Sequence, residues 1–190
     1  METRGRDAIS VDTPVPLVVL DSSVLVPYWS RVILQRLAAD LPQRFQPVWS
    51  EWIIAETWRV LAWQALSQGH QPTAERWRQV TRSANTMLEY LLPVMRIASL
   101  HDYTGPEPWP ELHDPNDIPI WDTATAAGAR YVVSHNTNDF PPLVSGRHQW
   151  RGVEYMTAVE FIEGVLGEDI VAFTTLALTP AMLLRSNRER

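Results

Sequence analysis

Asp21, Glu56, Asp117 and Asp139 are the residues of this chain whose type and spacing could do chemistry together. Asp21 follows the apolar run Val18-Val19-Leu20, Glu56 lies within W-S-E-W-I-I-A-E-T, Asp117 ends the loop D-P-N-D that begins at Asp114, and Asp139 lies within H-N-T-N-D-F-P. Carboxylates gathered in a small volume repel, which raises some of their pKa values unless a cation sits among them. Oxygen donors without sulfur or imidazole suit Mg2+ or Mn2+. Such an ion acidifies water, polarises a phosphodiester and steadies a leaving oxygen, with a second ion compatible and no covalent nucleophile required.

Each acid also has an ordinary reading. Asp21 alone is a helix cap or loop acid; its place at a strand end and the later acids favour a ligand. At about 100° per residue, Glu56 falls among Trp52, Ile53, Val60 and Trp63, where a carboxylate needs a cation or an ion pair, and Arg59 one turn on could supply the pair. Glu51 is explained by the helix dipole. Capping accounts for either Asp114 or Asp117, with Pro115 or Pro119 in the first turn, but not for both acids together. Asp122 is expected on a solvated side, and His135 in a loop rather than as a general base.

The composition excludes several alternatives. There is no cysteine, which removes disulfides, zinc-thiolate sites and thiol nucleophiles together. All 16 basic residues are arginine, so chemistry that needs lysine, such as a Schiff base or a P-loop, is absent; codon bias in a GC-rich genome is the simplest account. A net charge of −6 argues against an extended basic face for nucleic acid, though a bound cation would reverse the field around clustered acids. No run is long and apolar enough for a membrane span and the first ten residues lack a signal-peptide block, so a cytoplasmic protein without a membrane partner is expected.

The acids must be positioned by short strands and helices. A chain of 190 residues with nine Trp suits one domain with a full core. Strands are expected at Leu17 to Leu20, Gln46 to Trp49, Pro93 to Ala98, Tyr131 to Val133 and Val153 to Met156. Helices are expected at Val24 to Ala39 with a break near Pro27, at Glu51 to Ser67, at Thr73 to Leu91 after a turn at Gly69 to Pro72, after Asp117 up to Gly128, and at Ala158 to Leu166. Residues 1–16 read as a loose arm, the loop His101 to Glu111 as an insertion near the site, and 167–190 as an apolar extension that packs on the domain or on a second subunit. Arg76, Arg78 and Arg82 give the fourth helix a basic outer side, ordinarily a solvated face. A helix folded back along its own strand would bring Asp117 and Asp139 to one sheet end, where open α/β sheets bind ligands.

The blocks D-P-N-D, then G-A-x-x-x-V-S-x-N-x-x-D-F-P, with Asp21 and Glu56 before them in order, resemble the PIN-domain nucleases over about residues 17–166. The resemblance implies a three-layer α/β/α sandwich with a short parallel sheet in the order 3-2-1-4-5. It implies hydrolysis of single-stranded RNA by metal-activated water, leaving a 5′-phosphate and a 3′-hydroxyl. Asp21 and Asp117 then correspond to the main metal ligands, while Glu56 and Asp139 complete the site and Glu56 or a metal-bound hydroxide takes the attacking proton. Ser22, Ser23, Ser134, Asn136 and Asp114 would orient carboxylates and water. Asn136 departs from members with an acid there. Small proteins of this kind resemble VapC toxins, which implies a cognate antitoxin and allows a homodimer. Two other readings stay open: a non-catalytic RNA-binding or scaffold protein on the same fold, and a metal-dependent phosphatase with Asp21 as nucleophile. The latter is disfavoured by D-S-S in place of D-x-D.

Overall fold

The computed structural model of the chain describes residues 14–67, 73–112 and 114–167. The N-terminal arm up to residue 13, the turn at Gly69 to Pro72 and the extension from residue 168 lie outside the described residues.

Leu17–Leu20 (β1) opens the fold as a short apolar run buried on both faces. One helical turn, Ser22–Leu25 (α1), follows, then Tyr28–Asp40 (α2), Gln46–Trp49 (β2), Glu51–Ser67 (α3), Ala74–Leu91 (α4) and Arg96–Ile97 (β3). Ile118–Ala127 (α5), Tyr131–Val133 (β4), Leu143–Val144 (β5), Arg147–Trp150 (β6), Val153–Met156 (β7) and Ala158–Glu160 (α6) complete it. The last helix continues in wider π-type turns over Phe161–Leu166.

The strands form one seven-stranded sheet in the order β3-β2-β1-β4-β7-β6-β5. β3, β2, β1, β4 and β7 run parallel, which gives the expected 3-2-1-4-5 order once β7 is counted as the fifth parallel strand. Strands this short hold only when both faces are covered. Val18, Val19, Val48, Val132 and Val133 have no exposed surface, and α5 lies against β1, β2 and β4 while touching α3. The architecture is the α/β/α sandwich expected from the sequence.

Local chemistry sets the element ends. Pro27 lacks the amide that would continue α1, so the expected helix Val24 to Ala39 divides in two. Its buried side is Leu34, Leu37 and Ala38, while Tyr28 is 51% exposed. Thr73 caps α4 through the N–H of Arg76, and Thr157 with Glu160 forms a reciprocal capping box on α6. Gly128 ends α5 at φ 67°, a left-handed conformation that suits glycine. The third strand shrinks to Arg96–Ile97 because residues 92–94 turn.

A hairpin absent from the sequence expectations extends the far edge. β5 pairs antiparallel with β6, and β6 with β7. Ser145-Gly146 and Arg151-Gly152 join them, and all four of these residues have positive φ. Two-residue turns of that kind match the strand twist. The loop from 101 to 111 has no regular structure, yet it is anchored. Trp109 is buried at 2% exposure against Trp121 and Tyr155, and Trp121 Nε1 donates to the Pro106 carbonyl over 2.6 Å.

Candidate active site

The acids gather at the C-terminal ends of β1 and β4. Register pairs Leu20 with Val133, so the chain leaves both strands side by side, and the Asp21 N–H donates to the Val133 carbonyl over 3.1 Å. Ser134, next along, donates its N–H to the Met156 carbonyl, so β7 also fixes this end of the sheet.

Asp21 is 3% exposed and is met by three hydroxyls. Ser134 Oγ donates to Asp21 Oδ2 over 2.8 Å, Ser23 Oγ to the same atom over 2.5 Å, and Ser22 Oγ to Oδ1 over 3.2 Å. The network runs on through the backbone: His135 N–H donates to Ser23 Oγ, and Asn136 N–H to Ser134 Oγ. A buried carboxylate needs such donors. The small residues of D-S-S and V-S-H-N supply them from loops 111 or more positions apart.

Asn136 then links the other two acids. Its Nδ2 donates to Asp117 Oδ2 over 3.1 Å and to Asp139 Oδ2 over 2.6 Å, so the two carboxylates lie within two hydrogen-bond lengths of each other. Asp117 stands at the N-cap of α5 but makes no capping bond with its side chain. Burial pushes its pKa up to about 7, helped by the charges of Asp139, Asp21 and Asp114 and by a hydrogen bond with Asp139. Asp114 is spent locally: its Oδ1 accepts from both the N–H and the Nδ2 of Asn116 at 2.8 Å, closing the turn before α5.

Glu56 reaches toward the same end from α3. Its carboxylate is 18% exposed and pairs with Arg59 at 3.2 Å, so the ion pair open to it in the sequence is formed. Burial first, and then the charge of Asp21, raise its pKa, although Arg59 pulls the other way. The electrostatic reach of Asp21 to both Glu56 and Asp117 puts all three in one negative field. The stripe expected around Glu56 is looser than the sequence indicates, for Trp63 is 71% exposed. Asp122 is partly buried rather than solvated, and loss of solvent raises its pKa. His135 is exposed and uses its backbone rather than its ring.

As the side chains stand, each acid is turned to an internal partner, and among the described residues no three Asp, Glu or His side chains are arranged to hold a metal ion. In kind, the donors fit a hard divalent cation: they are carboxylate oxygens gathered at one end of the sheet, without sulfur or imidazole, and their mutual field favours positive charge. Asn136 as the bridge between Asp117 and Asp139 is the feature sequence reasoning undervalued. Its three-residue spacing from Asp139 was the available signal.

The PIN domain family model matches residues 17–138, a span that takes in Asp21, Glu56 and Asp117 and ends one residue before Asp139. No curated protein and no solved structure matches the chain. PIN domains are generally nucleases, acting on nucleic acid and typically using divalent metal ions. With a match over more than half of its length, and with the α/β/α sheet order and strand-end acids described above, the chain belongs to the PIN domain family.

Proposed function

We propose that the protein is a Mg2+- or Mn2+-dependent endoribonuclease that hydrolyses single-stranded RNA, acting as the toxin of a toxin–antitoxin pair. Asp21 and Asp117 are the groups that would hold the ion, with Asp139 and Glu56 completing the site directly or through water. When bound, a divalent cation supplies Lewis acidity toward the phosphodiester and a more acidic water. The three serines orient Asp21, and Asn136 orients Asp117 and Asp139. Glu56, with its raised pKa, is the residue suited to take a proton from the attacking water.

The observation that carries this reading is the gathering of Asp21, Asp117 and Asp139 at one end of the sheet, with Asn136 joining the last two and with burial first, then their mutual charge, lifting Asp117 to about 7. The deciding experiment is incubation of the full chain with single-stranded RNA and Mn2+. Cleavage that stops with chelator, and that Asp21→Asn and Asp117→Asn abolish while far-UV circular dichroism is unchanged, supports the nuclease. Binding without cleavage supports instead the non-catalytic reading, which the amide at Asn136 favours. The toxin role calls for a small neighbouring reading frame whose product binds the protein and restores growth. A homodimer is checked by sedimentation. Among the described residues no helix is long and apolar enough to cross a membrane.

A further inference from the structure

One polar group beside the acids takes no part in the network around them. The hydroxyl of Tyr155 on β7 is buried without a hydrogen-bond partner, in a residue 7% exposed. Its ring is held edge-on by Trp109 at 5.2 Å between centroids and by Phe140 at 5.7 Å. A buried hydroxyl left unpaired costs free energy that phenylalanine would avoid. Burial and the charges of Asp117, Asp21 and Asp122 push the phenol's pKa well up, so it stays a neutral donor. Tyr155 borders a small cavity walled also by Asp117, Ser134, Asn136 and Asp139, with about 10 Å³ of room for the centre of a water molecule. That is about the space of one water, and such a wall offers the polar partners a buried water needs.

We propose that Tyr155 holds one ordered water in this cavity and through it steadies the Asp117 and Asp139 pair, which makes Tyr155 a positioning residue of the acidic site. Asn136 engages the Oδ2 atom of each acid, and the water gives the pair a second donor within the cavity that Asn136 also lines. The kinetic consequence rests on the nuclease reading and the effect on cation affinity on the metal site proposed with it; the water itself rests on neither.

Tyr155→Phe in the full chain tests it, since the ring is kept and only the hydroxyl is removed. A high-resolution crystal structure of the parent is expected to show a water within hydrogen-bond reach of Tyr155 Oη and of one carboxylate of the pair, and the variant is expected to lack it. Calorimetric Mn2+ affinity should fall about tenfold, as for other partners that orient metal ligands, with kcat on RNA reduced and KM unchanged. A dry cavity in the parent, or a variant that binds Mn2+ as the parent does, overturns the proposal. A parent that holds the water and binds Mn2+ in a Tyr155-dependent way yet leaves RNA intact upholds this inference and removes the nuclease reading. RNA cleavage indifferent to the hydroxyl, with unchanged Mn2+ affinity, does the reverse.

Discussion

An aspartate at a helix N-cap ordinarily accepts a hydrogen bond from its own first turn; Asp117 occupies that position and spends its carboxylate on Asn136 instead. Its pKa, lifted from 3.8 to about 7, means that the folded state favours the protonated acid. The sign follows: this contribution to stability is complete below the ordinary value and is lost as pH climbs through about 7. Glu56 shifts in the same direction. Metal-free protein should therefore melt at a lower temperature at pH 8 than at pH 5.5 on this account, and Asp117→Asn should flatten that difference in calorimetric scans; an unchanged slope would remove Asp117 as its source. A second prediction concerns Ser134, whose hydroxyl donates to Asp21 over 2.8 Å. Ser134→Ala should lower kcat/KM on RNA by about tenfold, while urea titration shows a loss of only about 1 kcal/mol. Residue types singled out Asp21, Asp117 and Asp139 as candidates, because each follows or opens an apolar element, and the fold brings the three to one end of the sheet. Which donor turns toward which acid was not legible, since a sequence states that Asn136 is an amide but not that it spans two carboxylates.

Among the elements, the four apolar strands at Leu17, Gln46, Tyr131 and Val153 matched their sequence boundaries, because a short apolar run between polar residues has few other uses. The hairpin of β5 and β6 went unread. Its turns use Ser-Gly and Arg-Gly rather than the stronger Asn-Gly, and its strands carry Arg147 and His148 where an apolar alternation would have shown. Helix α5 offers a test at this scale. Gly128 sits at φ 67° with nothing within 4 Å of where a Cβ would be, so Gly128→Ala acts through the backbone alone. It should destabilise the protein by roughly 1–2 kcal/mol, read from chemical denaturation; equal midpoints for parent and variant would contradict the capping role.

For the whole molecule, the alternation of strands with helices agrees with the layered architecture that the family resemblance implied, whereas the order of the strands came from that resemblance alone, since apolar runs do not say which neighbour they choose. The assembled sheet concentrates negative charge at one end, and a divalent cation should relieve it. Mn2+ at about 100 times its Kd should add roughly 2.7 kcal/mol of stability, seen as a rise in Tm that is larger at pH 8 than at pH 6. Asp21→Asn should abolish that rise, and an equal rise in the variant would move the cation elsewhere.

The bond from Ser134 to the Met156 carbonyl places a late strand under an early site. During synthesis, Asp21 emerges from the ribosome long before the residues that brace the loop carrying its partner hydroxyl. The acidic site is thus complete only after β7 has been made, so on the proposed function a nascent chain shorter than that strand carries the acids without the means to cut.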